Sequence, residues 1–588
     1  MAALVATIRS FGARMALHCP AMLREPGPET GGATDRAHSR RWLVLGVLCL
    51  AVFTTMVDTS IVNVALPTLV RDLHASTRDL LWVVDSYNLV FGALVLAAGS
   101  LSDRFGRKGA LIAGLTIFGL ASAGGSAAND PTQLIVARVV MGVGAAFVFP
   151  ATLSIITNVF TDRTERATAI GAWGATAGAA VAFGPITGGA LLGQFWWGSI
   201  FVVMVPMALL AVILVALIVP TSRDPAVPRL DKPGFVLSIA GLGVLVFTII
   251  EAPGNGWMTA RTLVGFALAA AILIAFVAVE RRTAAPMLDV SLFKNLQFSA
   301  ASGAVAVAFF AMFGFLFLVT QYFQFAKGYS PLSTGLRMLP IAMSVGVTAL
   351  IGTQLAVRFG HRMVVGSGLG IMSVTFVWLS TDTALTSYRV IAIQMVVAGI
   401  GIGLTSAPAT EAIMDVVPPS QAGIGSAVND ATREIGGTLG VAIIGSVAAW
   451  LYAASFDRLP IGAALPKGAV DLARSSLGAA ESVAARLQAG GDPQAGRAIL
   501  RAANDGFHNG FSTGSMLAAG VTLVGCVAAA ILLPGPRPPH ADTVATDFDL
   551  VELERVELER ADLERASAVL ADPVLAARAF NDLLPTRR

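Results

Sequence analysis

Charged residues are scarce in this chain. Asp, Glu, Lys and Arg make up 13% of its 588 residues, while 55% of the residues are hydrophobic. A soluble domain carries about 25% charged residues because water must solvate its surface. The composition therefore predicts a protein that lies in a lipid bilayer. The formal net charge of +3 is small and says little about partners.

Motifs for redox, metal and nucleotide chemistry are also missing. The three cysteines, Cys19, Cys49 and Cys526, lie far apart in the sequence and make no disulfide or metal framework. No Gly-x-x-x-x-Gly-Lys-Ser/Thr segment is present to hold nucleotide phosphates, so ATP is not the evident energy source. We predict no cofactor, no metal, no nucleic-acid partner and no enzymatic activity.

Long apolar runs are what the sequence contains instead. Each run is long enough to cross about 30 Å of hydrocarbon as a helix. The fourteen runs lie near residues 42–64, 80–100, 109–128, 132–154, 167–190, 198–219, 234–252, 262–280, 298–322, 334–356, 363–380, 389–410, 424–450 and 512–533. An even number places both termini on one side. The loops on that side carry most of the Lys and Arg residues, so it is predicted to be cytoplasmic.

An internal repeat relates the second run to the tenth. Residues 355–362 match residues 101–108 in Leu, Arg, Phe and Gly, with Val357 in place of Asp103. A separation of eight runs, rather than six, predicts two extra helices between two similar halves. The predicted divisions are a cytoplasmic arm (1–41), a six-helix half (42–219), two inserted helices with their linkers (220–297), a second six-helix half (298–533) with an external loop at about 451–510, and a cytoplasmic polar tail (534–588).

The turn between the second and third runs concentrates charge and glycine. It reads Gly99-Ser100-Leu101-Ser102-Asp103-Arg104-Phe105-Gly106-Arg107-Lys108. Its glycines permit close helix approach and a sharp reversal. Asp103 can accept hydrogen bonds from a helix N-terminus or a neighbouring arginine. An ordinary basic loop would explain only the basic residues. The segment closely resembles the helix 2–3 signature of the major facilitator superfamily, which implies a secondary transporter with a cytoplasmic gate at Gly99, Asp103, Arg104, Gly106, Arg107 and Lys108.

Asp58 and Arg138 are charged residues that stand inside the first and the fourth apolar run. Burying the carboxylate of Asp58 in a membrane costs about 2.5–3.5 kcal/mol, so such a residue usually faces a cavity or a partner. Arg138 keeps its charge at physiological pH and can hold or release a carboxylate. The stretches around both residues resemble the helix 1 and helix 4 signatures of fourteen-helix proton-coupled exporters. The resemblance implies proton coupling, and a purely structural ion pair is the alternative.

The fifth run is rich in glycine and contains a proline, which removes a backbone hydrogen bond and kinks a helix. Its ending, Gly-Pro-x-x-Gly-Gly, resembles the antiporter signature of exporters, which importers of the superfamily generally lack. This favours efflux over uptake, with close helix packing alone as the other interpretation. The predicted antiporter residues are Gly174, Gly178, Gly184, Pro185, Gly188 and Gly189.

The thirteenth run carries Asp430, Arg433 and Glu434. Asp430 and Arg433 are three residues apart, so they share one helix face and can pair. The stretch resembles the corresponding part of the same exporters. We predict proton coupling here too, and a structural pair near a helix end is the alternative.

A few residues are candidates for substrate binding. Asp85, beside Trp82 and Tyr87, can hold a cationic group by charge and aromatic contact, or it is a solvated residue at a helix start. Gln321 and Gln324 are candidate polar groups of a cavity.

The resemblance to the fourteen-helix drug:proton antiporters implies an all-α integral membrane protein with the major facilitator fold, two six-helix halves and two inserted helices. It implies a monomer in the cytoplasmic membrane that exchanges lipophilic small molecules, cationic drugs among them, for protons. A dedicated exporter of an endogenous antibiotic, lipid or amino acid would share every motif. A proton-driven importer and a membrane enzyme or sensor are the remaining alternatives.

Overall fold

The computed structural model describes residues 31–160, 163–221, 231–283, 290–417, 422–458, 467–490 and 492–534, and this part of the chain is helical without strands. The helices are α1 Gly31–Asp72, α2 Thr77–Phe105, α3 Arg107–Ser126, α4 Pro131–Val159, α5 Arg163–Gln194, α6 Ser199–Ile218, α7 Lys232–Asn255, α8 Ala260–Glu280, α9 Leu296–Ala326, α10 Pro331–Phe359, α11 His361–Leu379, α12 Tyr388–Met414, α13 Ala422–Ser455, α14 Lys467–Ser475, α15 Leu477–Ala489 and α16 Pro493–Leu532. Helices suit a bilayer because they satisfy their backbone hydrogen bonds internally.

Long helices occupy all fourteen predicted runs. Twelve of those in the described ranges are long and apolar enough to span a membrane. The other two, α2 and α5, have 29 and 32 residues and pack within the bundle. The all-α fold class is confirmed, and the count of fourteen spans stays a prediction for α2 and α5. Residues 1–30 and 535–588 of the predicted arm and tail lie outside the described residues.

The two halves repeat the same helix packing. In the first half α1 packs on α5 and α6, α4 on α2 and α3, and α3 on α6. In the second half α9 packs on α13 and α16, α12 on α10 and α11, and α11 on α16. These pairings correspond one to one when α1–α6 are matched with α9–α13 and α16. The halves meet along two seams that correspond in the same way, α2 with α13 and α10 with α5.

The inserted helices α7 and α8 pack on each other and break this symmetry. Helix α7 also lies against α2 and α13, and thus covers one of the two seams. Near the α2 N-terminus, the rings of Trp82 and Phe247 are 6.0 Å apart, and Arg78 pairs with Glu251 at 3.3 Å. The α2–α13 seam is therefore partly covered by an additional helix.

The predicted loop at 451–510 contains helices. Helices α14 and α15 form a hairpin that shares a small hydrophobic core with the adjoining ends of α13 and α16, including Tyr452, Phe456, Leu477 and Ile499. Alanine and leucine dominate α15, which explains why this polar stretch forms a helix. We call this end of the bundle the hairpin face and the opposite end, where α1 begins and α16 ends, the terminal face.

The halves are closed against each other at the hairpin face. The Gln324 side chain of α9 donates to the Val64 carbonyl of α1 at 2.7 Å. The hydroxyl of Thr77 on α2 donates to the carbonyl of Ser475 on α14 at 3.1 Å. Both bonds join elements of different halves, so this face must come apart before the interior can open there.

A buried acid sits in the loop between α11 and α12, also at the hairpin face. Asp382 is 2% exposed and accepts a hydrogen bond from the side chain of Gln394 at 3.0 Å. Burial raises the pKa of Asp382 because water no longer solvates its charge, and the hydrogen bond from Gln394 and the charge of Lys327 offset this in part.

The pKa of Asp382 is higher in the folded protein than in the unfolded chain, so the folded protein holds this proton more tightly. Asp382 therefore contributes most to the free energy of unfolding at pH values below its ordinary pKa, and this contribution is lost as pH rises through the raised pKa. We expect Asp382→Asn to raise the melting temperature at neutral pH and to leave it unchanged at acid pH, where wild-type Asp382 is already neutral. Thermal unfolding of the purified protein across pH 3–8 measures this, with the exposed Asp72→Asn as control. A lower melting temperature for Asp382→Asn at pH 7 would contradict the assignment.

Candidate functional site

A buried ion pair lies at the middle of the first half. Asp58 of α1 is 0% exposed and pairs with the guanidinium of Arg138 on α4, which is 1% exposed. Asp58 is fourteen residues (72 minus 58) from the end of α1, or about 21 Å along the helix. Sequence reasoning predicted each residue separately, and the structure brings them together.

Helix α2 holds the arginine from its other side. The Nε of Arg138 donates to the Val83 carbonyl at 2.9 Å, and its guanidinium lies 4.3 Å from the centre of the Tyr87 ring. The Tyr87 hydroxyl in turn donates to the Thr55 carbonyl of α1 at 3.3 Å. Arg138 is thus fixed by backbone and ring contacts as well as by Asp58. Tyr87, predicted as a substrate residue, lies in this site.

One oxygen of Asp58 stays without a partner. Its Oδ1 is buried and accepts no hydrogen bond from the described residues. Removing one member of a buried ion pair leaves an uncompensated charge that costs about 3–5 kcal/mol. Protonation of Asp58 would therefore weaken the contact between α1 and α4 substantially. The packing of these two helices can thus depend on whether Asp58 carries a proton.

Further buried carboxylates lie in the α2–α13 seam. Gly92 of α2 faces Glu434 of α13: a Cβ added at Gly92 would lie 2.9 Å from the Glu434 Cβ. Leu81 of α2 faces Gly445 of α13. Asp85 is one helical turn from Leu81 and therefore lies on the same stripe of α2. It is 0% exposed, and neither carboxylate oxygen has a partner among the described residues.

The predicted pair in α13 is present but loose. Arg433 and Asp430 lie 3.8 Å apart, and the Arg433 guanidinium lies 4.5 Å from the centre of the Phe309 ring on α9. Partly exposed pairs of this kind contribute about 0–1 kcal/mol. Glu434 is more deeply buried than either residue and points to the other half.

The glycines of α5 serve two different contacts. Gly184 and Gly188 face α1: added Cβ atoms would lie 2.9 Å from the Val57 carbonyl oxygen and 2.6 Å from Cγ1 of Ile61. Gly189 faces the other half, where its Cβ would lie 2.5 Å from the Cα of Leu332. The Gly-Pro-x-x-Gly-Gly ending therefore lets α5 touch α1 and α10 with bare backbone.

The other predicted residues of α5 are Pro185, Gly174 and Gly178. Pro185 is buried, and its carbonyl lies against Gly335 of α10. Gly174 has open space where a Cβ would be, and the surroundings of Gly178 are outside the described part of the chain. Among the described glycines of α5, the close contacts are those of Gly184, Gly188 and Gly189.

The predicted gate lies at the terminal face. Gly106 joins α2 to α3 with a positive φ of 119°, which glycine adopts without strain. Lys108 donates to the Ala216 carbonyl near the end of α6 at 2.8 Å, and Arg107 begins α3. A Cβ at Gly99 would lie 3.3 Å from Pro150 of α4. The side chains of Asp103 and Arg104 are outside the described residues.

The two glutamines differ in their contacts. Gln321 donates to the Phe317 carbonyl of its own helix at 3.1 Å, whereas Gln324 crosses to α1. Sequence reasoning did not single out Asn88 or Thr438, which are buried in the α2–α13 seam with unpartnered side-chain oxygens. Asn88 lies three residues after Asp85 in an apolar run, and that spacing was the available signal.

Residues 48–441 match the family model of the Major Facilitator Superfamily. The chain belongs to this superfamily. It is 34% identical to the multidrug efflux pump LfrA of Mycolicibacterium smegmatis over 84% of its own length and 96% of that protein. It is 34% identical to the methyl viologen resistance protein SmvA of Salmonella typhimurium, over 80% of its own length and 93% of that protein. The resemblance to multidrug efflux members of the superfamily is confirmed.

Solved transporter structures share this fold. An inward-facing bacterial homologue of the human lysosomal transporter Spinster superposes with a TM-score of 0.59 at 16% identity, covering 85% of this chain and 99% of that one. The family consists of membrane carriers, and the helices described above identify this chain as a multi-span membrane protein of that type.

Proposed function

We propose that this protein exports lipophilic small molecules, cationic drugs among them, in exchange for protons by alternating access. The buried Asp58–Arg138 pair with its free carboxylate oxygen is the observation that carries the proposal. A carrier that uses a proton gradient needs a titratable group whose protonation changes helix contacts, and a buried carboxylate is such a group. The names of LfrA and SmvA, an efflux pump and a resistance protein, support drugs as the cargo.

The proposed cycle starts from the state described above, in which the hairpin face is closed. We place the terminal face and both termini in the cytoplasm, following the excess of Lys and Arg on that side. A substrate would enter from the cytoplasm or the inner leaflet and the halves would rock about it. A proton arriving from outside would neutralise Asp58, release Arg138 and favour return.

Other residues take supporting roles in this proposal. Glu434, with Asp430 and Arg433, contributes charge at the α2–α13 seam, and Asp85 with Trp82 receives the cationic part of a substrate. Gly99 and the segment from Asp103 to Lys108 gate the terminal face. The glycines and Pro185 of α5 close the α5–α10 seam at the hairpin face. The protein works as a monomer and leaves its substrate chemically unchanged.

Transport into inverted membrane vesicles tests the proposal. With an acid interior, we expect vesicles that contain the protein to accumulate ethidium and tetraphenylphosphonium, and a proton ionophore to abolish the accumulation. Vesicles without the protein are the control. Accumulation that persists after the ionophore would contradict proton coupling. Uptake of neither cation, with export of a cellular metabolite instead, would favour the dedicated exporter.

A further inference from the structure

Helix α7 covers the one seam that contains buried carboxylates. The covered seam has Asp85 on α2 and Glu434 on α13. In the corresponding seam, α10 contains no Asp or Glu, and α5 contains only Glu165, in its first turn. A carboxylate that faces hydrocarbon costs about 2.5–3.5 kcal/mol even on a lenient scale, so an acidic seam needs a cover that the other seam does not.

A narrow crevice of about 10 Å³, with room for about one water molecule, lies where α7 meets this seam. Helix α2 contributes Asn88, Leu89 and Gly92, α13 contributes Ile435, Thr438 and Leu439, and α7 contributes Leu242 and Val246. Pockets for drug-sized ligands measure about 300–1,000 Å³, so this crevice must widen, as the halves move, before it admits the head of a ligand.

Two polar side chains of the crevice have an oxygen without a hydrogen-bond partner in the described part of the chain. The Oδ1 of Asn88 and the hydroxyl of Thr438 are buried and unpartnered among the described residues. Asp85 follows the same stripe of α2 one turn away, and Glu434 lies against Gly92. Unpaired buried acceptors are costly, and a positively charged group placed among them would remove that cost.

We propose that α7 forms the lipid-side wall of a subsite for the cationic head of a substrate, and that Leu242 and Val246 limit the size of that head. The inference rests on the proposed export of cations and adds to it the residues that limit the size of the cationic head. The two aliphatic side chains are the α7 groups that face the polar lining, so their volume determines the room beside it.

Binding of two cations with different heads tests this in the purified full-length protein. The bulky probe is tetraphenylphosphonium and the compact probe is decyltrimethylammonium, each measured as a dissociation constant. We expect Val246→Ala to strengthen tetraphenylphosphonium binding about fivefold relative to decyltrimethylammonium. We expect Leu242→Phe to weaken it about tenfold, as changes of one or a few methylene groups do in apolar pockets. Asp85→Asn should weaken both probes.

Val236→Ala is the matched control, because Val236 is on the same helix and 60% exposed. Its binding ratio should equal that of the wild type. If the wild type binds and transports both cations but neither α7 variant changes the ratio, the α7 inference is wrong and the proposed function stands. If the wild type binds neither cation, both are wrong.

Discussion

Asp58→Asn is expected to reduce drug accumulation in energised inverted vesicles to background. The asparagine keeps an oxygen that can accept a bond from Arg138 but cannot gain or lose a proton, so it cannot exchange a proton for substrate. Drug exchange without a gradient should continue, since it needs only the rocking of the two halves. Parallel measurements of gradient-driven accumulation and of gradient-free exchange distinguish loss of coupling from loss of folding.

Asp58→Glu is the matched variant, because it restores a titratable carboxyl one methylene longer. It should recover part of the accumulation, with changed pH dependence. A charge-neutral Asp58→Asn protein that still accumulates ethidium at the wild-type rate would contradict the role of Asp58. A protein that loses exchange together with accumulation would assign Asp58 a structural role, since a broken buried pair costs about 3–5 kcal/mol.

The sequence predicted the bundle well because bilayer burial leaves a simple signal. Every predicted apolar run is occupied by a long helix, and the repeat around Arg104 and Arg358 marks halves whose helices pack in the same pairs. Asp58 and Arg138 were found because charge is rare inside such runs. That they pair with each other was not predictable, since 80 residues separate them and only packing of α1 on α4 brings them together.

Other features left weak signals or none. The hairpin of α14 and α15 lies outside the bilayer pattern, so its short amphipathic helices read as a polar loop. The sequence does not indicate on which side of the bundle the inserted helices α7 and α8 pack, so it could not predict that α7 covers the α2–α13 seam. The contacts of Gly188 and Gly189 with different halves depend on one residue step around a helix, about 100°, which a glycine-rich motif does not resolve.

Gly189→Val is expected to open the hairpin face. A Cβ at Gly189 would lie 2.5 Å from the Cα of Leu332 and 2.6 Å from the Pro331 carbonyl oxygen, both backbone atoms of α10 in the other half. Overpacking of this kind costs about 1–3 kcal/mol. Because the cost falls only on the closed seam, the ratio of closed to open molecules should drop about 5- to 150-fold. Drug accumulation should fall accordingly.

A cysteine at Thr334 reports the opening in a protein without its native cysteines. Thr334 is buried on α10 near the same seam, so a membrane-impermeant maleimide should label Thr334→Cys slowly in the parent and much faster with Gly189→Val. Gly193→Val is the matched control, because Gly193 is on the same helix and a Cβ there would have no atom within 4 Å. The three nearest atoms to a Cβ at Gly188 all belong to Ile61 in the same half, so Gly188→Ala should lower stability without faster labelling. Equal labelling rates of Thr334→Cys with and without Gly189→Val would mean that the backbone contact of Gly189 with α10 does not control closure of the hairpin face. That result would also contradict the proposed role of the Gly-Pro-x-x-Gly-Gly ending in efflux.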